Sequence, residues 1–141
     1  MRNDCDSPSG RYKITFDERE VFNTCWVTVP TLTDTRTGET LLSFKDRFWS
    51  ADEVEWRSDS VVVMEMRKYP GNHLPVSLKV IVDCSAGSGA VEGRPARAIG
   101  VLEQDLEAAL TWRFAEPNGD ARPPTPLERL QKYLRELFGL G

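Results

Sequence analysis

The segment SVVVMEMRKYPGNHLPVSLKVIVD, residues 60–83, decides the fold. In its first half, Val62, Met64 and Met66 fall on one face of an extended chain, and the second half alternates in the same way. Pro70–Gly71 gives a turn signal between the two runs. We therefore predict two antiparallel strands joined by a turn. The second strand is expected to direct Val76, Leu78, Val80 and Val82 inward.

Further strand patterns precede this segment. RYKITFD, residues 11–17, alternates apolar and polar side chains, and FNTCWVTVPTL, residues 22–32, is rich in β-branched and aromatic ones. Pro30 cannot donate a ladder hydrogen bond, so we expect a sheet edge or a bulge there. The polar stretch 34–39 then separates this strand from TLLSFKD, residues 40–46, which predicts a hairpin with a longer loop.

Helical patterns follow the strands. Apolar residues recur at helical spacing between Ile99 and Leu110. Thr125 as N-cap and Pro126 at the first position predict the start of a C-terminal helix, and Gly139 predicts its end. The fold class is therefore predicted as α+β: an antiparallel meander sheet of five to six strands, packed by the C-terminal amphipathic helix and by one further helix. The expected apolar stripe of the C-terminal helix is Leu127, Leu130, Tyr133, Leu134, Leu137 and Phe138.

Composition and length fit one domain. The chain has 141 residues, 40% of them hydrophobic and 28% charged, which is ordinary for a globular protein. We predict a flexible N-terminal tail over residues 1–10 and a single α+β domain over residues 11–141. The net charge of −4 argues against a general nucleic-acid or anionic-membrane binder, because such proteins carry a basic excess.

The cysteines and the absence of an apolar leader indicate a cytoplasmic protein. No signal-peptide h-region or membrane-spanning run is visible in the sequence. Cys5, Cys25 and Cys84 form neither a CxxC pair nor a zinc pattern, so we expect free thiols, with Cys25 and Cys84 buried. We predict no metal and no cofactor.

The segment WSADEVEW, residues 49–56, is interpreted as a single helical turn. Ser50 and Glu53 have the spacing of a capping box, and Trp49 and Val54 have the spacing of a hydrophobic staple. The two tryptophans would then pack the ends of the turn onto the sheet. A solvated and capped turn explains this residue pattern, and no bound ligand is needed to explain it.

The same region is also the predicted interaction surface. Between residues 46 and 59 there are five carboxylates and two arginines, with two tryptophans among them. Tryptophan is enriched at the energetic centres of protein interfaces, and charge steers association. The residues assigned to this surface are Trp49, Asp52, Glu53, Glu55, Trp56 and Asp59.

Residues with catalytic potential are few. His73 is the only histidine and lies in the turn PGNHLP, where we expect it to be exposed. The glycine-rich stretch 85–93 lacks the spacing and the lysine of a phosphate-binding loop. Residues 67–69 form a small basic and aromatic cluster, for which a solvated strand tip is the expected role. An alternative ligand site would use Arg67, Tyr69, His73 and Asp83.

Three hypotheses follow. The favoured one is a non-enzymatic protein-binding domain, for example an inhibitor or immunity-type protein that is complementary to a basic partner. The alternative is a small-ligand-binding or enzymatic domain with a pocket between the sheet and the helices. A third is a self-associating structural subunit, a homodimer that buries apolar residues of both faces of 60–66. Neither a nucleic acid nor a membrane is expected as partner.

Overall fold

The computed structural model describes residues 3–21, 25–112, 126–127 and 129–130, without the side chains of Val21 and Cys25. Within residues 3–21 and 25–112 the chain forms eleven strands, a 3₁₀ turn and one α-helix. The strands are β1 Cys5–Asp6, β2 Tyr12–Val21, β3 Cys25–Asp34, β4 Thr40–Leu42, β5 Trp49–Trp56, β6 Val61–Lys68, β7 His73–Leu74, β8 Leu78–Asp83, β9 Ser88–Val91, β10 Arg97–Ala98 and β11 Thr111–Trp112. The 3₁₀ turn spans Ile99–Val101 and the helix α1 spans Leu102–Ala109.

The predicted α+β class with antiparallel sheets is confirmed, but the strands do not form one meander. One sheet has the order β1-β2-β3-β4, a second has the order β10-β9-β8-β6-β5, and β7 pairs with β11. The three-residue β4 ends the first sheet, and the chain then crosses to the second. A sheet of amphipathic strands must bury its apolar face, and here the buried residues of both large sheets belong to one core.

The segment 60–83 forms the predicted antiparallel pair. β6 and β8 are in register from Val61 opposite Asp83 to Met66 opposite Leu78. Val62, Met64 and Met66 of β6 are buried, and so are Leu78, Val80 and Val82 of β8. Val76 is 63% exposed, so its predicted inward position is wrong. The reason is that residues 75–77 form a bend and β8 begins only at Leu78.

The long β2–β3 hairpin accommodates Pro30 without losing a hydrogen bond between its strands. The backbone N–H of Thr28 donates to Ser50 Oγ at 3.0 Å, so Thr28 directs its donor away from β2. Because alternate residues of an antiparallel strand point the same way, the nitrogen of Pro30 also faces away from β2. β4 pairs with β3 only at Leu32 and Thr33, and the register shift lies between these two residues. At Pro30 the register with β2 is continuous, so the bulge expected there is not found.

Residues 49–56 form strand β5, so the predicted helical turn is wrong. Ala51 lies opposite Met66 and Glu53 lies opposite Glu65, which leaves Asp52 as the extra residue of a β-bulge. The bulge reverses the alternation: Trp49 and Ala51 point inward before it, and Val54 and Trp56 after it. The resulting spacing of five between Trp49 and Val54 is the spacing of a hydrophobic staple, which explains the error.

Part of the N-terminal segment belongs to the first sheet. Cys5 and Asp6 pair with Ile14 and Lys13 as strand β1. Ser9 then donates from its backbone N–H and from Oγ to the Asp59 carboxylate, both at 2.7 Å. Residues 5–9 are therefore held to both large sheets, while the division of the chain at residue 10 stays a prediction.

The predicted central helix is confirmed as α1, which packs on β9. Leu102 and Leu106 are fully buried. A Cβ at Gly89 would lie 3.3 Å from Leu102 Cδ2, so this glycine permits the close approach of strand and helix. Pro126, Leu127, Arg129 and Leu130 are helical, as predicted, with Leu127 62% and Leu130 45% exposed. The remainder of the predicted C-terminal helix lies outside the described residues.

Both large sheets and α1 contribute to one hydrophobic core. Its largest fully buried side chains include Ile14, Leu32, Trp49, Met64, Met66, Leu102 and Leu106. In the described part of the chain, no helix has the length and apolar character needed to cross a membrane.

Candidate functional site

The predicted acidic surface lies on β5, an edge strand of the five-stranded sheet. Asp52, Glu53 and Glu55 are exposed there. Asp52 accepts a hydrogen bond from Arg67 Nε at 3.1 Å, and Glu55 lies 3.5 Å from Arg57 Nε. These three residues of β5 are therefore solvent-facing, and Asp52 and Glu55 have arginine partners nearby.

The two tryptophans of this segment anchor the strand to the core. Trp49 is 0% exposed and packs against Phe44 with ring centroids 6.2 Å apart, so its assignment to the interaction surface is wrong. Trp56 is half-buried, stacks on Tyr12 at 6.4 Å and donates from Nε1 to the Cys5 carbonyl oxygen. Both tryptophans are on the inward side of β5, and they pack this strand against the core.

Asp59 also has a structural role. Its carboxylate accepts the two hydrogen bonds from Ser9, and these bonds hold the pKa of Asp59 below its ordinary value. The residue joins the β5–β6 turn to the N-terminal segment. It is exposed, but its acceptor oxygens are already used.

A continuous surface forms on the solvent side of the five-stranded sheet. The register places Glu53 opposite Glu65, and Glu65 opposite Lys79. The next row contains Glu55, Val63 and Ile81 in the same order of strands. Ile81 is 45% exposed. We define the outer face as Glu53, Glu55, Val63, Glu65, Lys79 and Ile81.

The structure does not bring the four residues of the alternative ligand site together. Asp83 lies opposite Val61, and Arg67 is six positions further along β6, which is roughly 20 Å at 3.3 Å per residue. Asp83 instead caps the following turn through Ser85 and Ala86, and these bonds lower its pKa. Arg67 faces outward toward Asp52, whereas Tyr69 is buried. A shared pocket for all four is therefore excluded by their positions.

His73 is buried, which corrects the prediction of an exposed turn. It is 1% exposed and forms β7 with Leu74, pairing with Trp112 of β11. Its Nδ1 lies 2.7 Å from the Pro75 carbonyl oxygen, and its Nε2 lies 3.1 Å from the Lys68 carbonyl oxygen. Because a strand partner nearly forty residues away creates β7, no local pattern in PGNHLP could reveal it. Both ring nitrogens are engaged, so His73 acts as a structural residue.

A buried charge cluster lies beside His73. Lys68 is 5% exposed, and its Nζ lies 2.5 Å from Asp46 Oδ2 and forms a second ion pair with Glu107 Oε1. The ammonium also lies over two indole rings, 5.6 Å from the centroid of Trp49 and 5.9 Å from that of Trp112. We define the Lys68 cluster as Asp46, Trp49, Lys68, Glu107 and Trp112.

Several elements position this cluster. Lys68 ends β6 on its inward face, Glu107 belongs to α1, and Trp112 belongs to β11. The loop with Asp46 is held by Glu103, whose carboxylate accepts the backbone N–H groups of Lys45 and Asp46 at 2.8 and 3.0 Å. Lys68 lies two residues after Met66 and four after Met64, so it points to the same side of β6. This alternation is the sequence signal that could have predicted its burial.

The chemistry available to the cluster is that of ion pairing. Two carboxylates and two indole rings surround the Lys68 Nζ, an arrangement that supplies ion pairs and cation–π contacts. The indole Nε1 of Trp49 is buried and has no hydrogen-bond partner within the described residues. The Lys68 cluster therefore binds three segments of the chain to one another.

In the described part of the chain, Cys5 and Cys84 are free thiols. Burial raises the pKa of Cys84 to about 12, with a smaller contribution from the neighbouring Asp83, so the thiol stays protonated at neutral pH. The predicted burial of Cys84 is confirmed, and Cys5 is a half-buried free thiol. The side chain of Cys25 lies outside the described part. Among the residues described, no group of three His, Cys, Asp or Glu side chains is placed to hold a metal ion.

The comparisons with known proteins add no relative. No protein-family model, curated protein or solved structure matches this chain. The function is therefore argued from the geometry of the outer face and the Lys68 cluster.

Proposed function

We propose that the chain is a non-enzymatic protein-binding domain and that its outer face binds a partner with a basic surface. The observation that carries this proposal is the direct opposition of Glu53 and Glu65 on neighbouring strands. Like charges placed opposite each other in a sheet are destabilising. Within the sheet, Glu65 has Lys79 opposite it and accepts a hydrogen bond from Ser77 Oγ at 2.8 Å. A cationic side chain of a partner beside the exposed Glu53 would supply the countercharge on the other side of the pair, so the pair favours association.

The apolar centre of the outer face supports the same proposal. Ile81 is 45% exposed between charged rows, whereas Val63 opposite it is only 9% exposed. An apolar centre with a polar rim is the usual anatomy of a protein interface. The surrounding carboxylates would steer a basic partner toward this centre. An inhibitor or immunity-type protein is one form that such a domain takes.

The other two hypotheses have less support. A pocket shared by Arg67, Tyr69, His73 and Asp83 would be the basis of an enzyme, and these residues point to different surroundings. Self-association through the outer face would bring Glu53 and Glu55 toward their own copies, which is unfavourable. The free Cys5 and buried Cys84 fit a reducing compartment, so we propose a cytoplasmic location.

Site-specific photo-crosslinking tests the proposal. A photoreactive amino acid at Ile81 is expected to capture a discrete partner in source cells, whereas the same group at the exposed Thr37 is not. The variant Glu53→Lys/Glu55→Lys should reduce capture at position 81 by about tenfold or more, since several interface charges are reversed. The matched control Glu20→Lys/Glu39→Lys has the same change of net charge at two exposed positions, one in β2 and one in the loop before β4, and should leave capture unchanged. Equal capture by both charge variants would refute the proposed surface.

A further inference from the structure

The β2–β3 hairpin binds one arginine of its own chain at the end where β2 begins and β3 ends. Tyr12 and Asp34 are paired across the two strands there. Arg11 donates from Nε and from Nη2 to the two oxygens of the Asp34 carboxylate, both at 3.1 Å, and its Cζ lies 5.2 Å from the centroid of the Tyr12 ring. An aromatic ring and a carboxylate on neighbouring strands thus hold a guanidinium by stacking and by a bidentate ion pair.

The other end of the same hairpin repeats this arrangement with Glu20 and Trp26, which are also paired across the strands. Tyr12 and Glu20 are eight positions apart in β2, so the alternation of a strand directs both side chains to the same face. The N–H of Thr28 is directed away from β2, so this pair and every second pair from it lack mutual hydrogen bonds. In such pairs the Cα atoms are only about 4.5 Å apart, which places the indole and the carboxylate side by side.

This second pair differs from the first in its exposure. Trp26 is 60% exposed, and Glu20 is exposed as well. Within the described residues, no cation of the chain lies over the Trp26 ring and no arginine or lysine pairs with Glu20. The ring and the carboxylate therefore face solvent together, where a guanidinium of another molecule can reach both.

We propose that Trp26 and Glu20 bind an arginine side chain of a partner polypeptide. The guanidinium stacks on the indole and donates to the Glu20 carboxylate, as Arg11 does at the opposite end of the hairpin. Arginine fits these two groups better than lysine, because its planar group stacks on aromatic rings, is weakly hydrated and presents paired donors. The site lies on the first sheet and is independent of the outer face, so it goes beyond the function proposed above.

Nuclear magnetic resonance with defined peptides tests the site in the full chain. The probe is a capped tri-arginine peptide, and the readout is the indole N–H signal of Trp26, one of four such signals in the isotope-labelled protein. The loss of one signal in Trp26→Leu assigns it. We expect this signal to shift saturably with tri-arginine. A capped tri-lysine peptide of equal charge should bind at least about threefold more weakly, because an ammonium neither stacks nor forms a bidentate pair.

Carboxylate variants locate the bound cation. Glu20→Gln should weaken tri-arginine binding at Trp26 by about threefold, the size of an exposed ion pair. The matched control Glu39→Gln removes the same charge at an exposed position of the loop before β4 and should leave the affinity unchanged. Glu53→Lys/Glu55→Lys should also leave the shift at Trp26 unchanged, which separates this site from the outer face.

Loss of the ring is measured by the fluorescence anisotropy of a labelled tri-arginine peptide. In the Glu53→Lys/Glu55→Lys background, where the outer face no longer attracts the peptide, Trp26→Leu should weaken binding by about fivefold. The indole signal of the buried Trp49 reports that each variant is folded.

Three results would overturn the inference without touching the proposed outer face. The first is a Trp26 signal that does not move with tri-arginine, or that responds equally in Glu20→Gln and Glu39→Gln. The second is equal affinity for tri-arginine and tri-lysine, which would reduce the contact to simple charge attraction. The third is a Trp26 signal that shifts with protein concentration alone, which would identify a second copy of the chain as the occupant.

Discussion

Lys68 is a charged side chain on the inward face of a strand. Removing an ammonium from water is unfavourable, and it is tolerated only where acceptors replace the lost hydration. Asp46 and Glu107 supply the acceptors, and the rings of Trp49 and Trp112 add cation–π contacts. The side chains of Asp46 and Glu107 are about a third exposed, whereas the Lys68 side chain is buried. If the ion pairs are broken, the carboxylates can still be hydrated, but the ammonium cannot.

This asymmetry gives a prediction at the residue scale. Asp46→Asn/Glu107→Gln leaves the buried ammonium without a countercharge and should lower the free energy of unfolding by about 3–5 kcal/mol. Lys68→Met keeps the aliphatic packing and leaves two carboxylates that can turn to water, so it should lower it by only about 1–2 kcal/mol. Urea unfolding followed by circular dichroism measures both. The control Lys79→Met, at an exposed position, should stay within about 0.5 kcal/mol. A larger loss in Lys68→Met than in the double variant would contradict this account.

At the residue scale, parity along β6 was the informative signal. It correctly placed Met64 and Met66 in the core, and the same parity applied to Lys68 would have placed the ammonium there too. The partners of Lys68 could not be predicted in this way. Asp46 and Glu107 approach it through the crossing between the sheets and the packing of α1, which depend on the whole fold.

At the scale of elements, the bulge at Asp52 determines how β5 meets the core. It lets Trp49 and Ala51 point inward on one side and Val54 and Trp56 on the other, although their spacing does not alternate. A strand whose alternation is interrupted once resembles a helical pattern over a short window. That is why the sequence of 49–56 predicted a capped turn, whereas the uninterrupted alternation of β6 and β8 predicted strands correctly.

Two single-residue deletions test this account of β5. Deletion of Asp52 removes the extra residue and leaves all four inward side chains inward, so the loss should be no more than about 1 kcal/mol, the size of its surface ion pair with Arg67. Deletion of Glu55 moves Trp56 to the outer face and away from Tyr12, and should cost about 3 kcal/mol or more. Thermal unfolding of the two variants makes the comparison. If both deletions were equally harmful, the bulge would have a role beyond parity.

At the scale of the whole molecule, carboxylates connect distant segments. Asp34 accepts two hydrogen bonds from Arg11, Asp17 accepts from Arg47, and Asp59 accepts from Ser9. In each case the hydrogen bond to the charged form is the main reason that the pKa of the aspartate is lowered. The Arg11–Asp34 pair connects β2 with β3, and the Arg47–Asp17 pair connects β2 with the loop before β5. The Ser9–Asp59 bonds connect the segment before β2 with the β5–β6 turn.

The lowered pKa values predict the response of the whole protein to acid. A group whose pKa is lower in the folded state than its ordinary value of 3.8 contributes stability above that value and loses it as the pH falls through the folded pKa. The free energy of unfolding should therefore be constant near neutral pH and decrease below about pH 4. Asp34→Asn should lower stability at pH 7 and make the acid decrease shallower, as measured by urea unfolding at a series of pH values. An acid decrease of unchanged steepness would contradict the role of Asp34.

The sequence predicted the class of the fold but not the number of sheets. Local alternation identifies strands, and turn residues separate them, so β2, β3, β6 and β8 were expected close to where they lie. The division into two large sheets depends on where the chain leaves β4. The pairing of β7 with β11 joins residues that are separated in the sequence by β8, β9, β10 and α1. Neither is set by residues that are close in sequence.

The attachment of residues 5–9 matters for anyone who shortens this chain. Trimming to Arg11, where the polar composition suggests a boundary, would take away the outermost strand of the first sheet. It would also strip the Asp59 carboxylate of both donors and uncover the edge of β2 that Cys5 and Asp6 now occupy. An uncovered strand edge invites aggregation, so a shortened protein for crystallisation is better started ahead of Cys5.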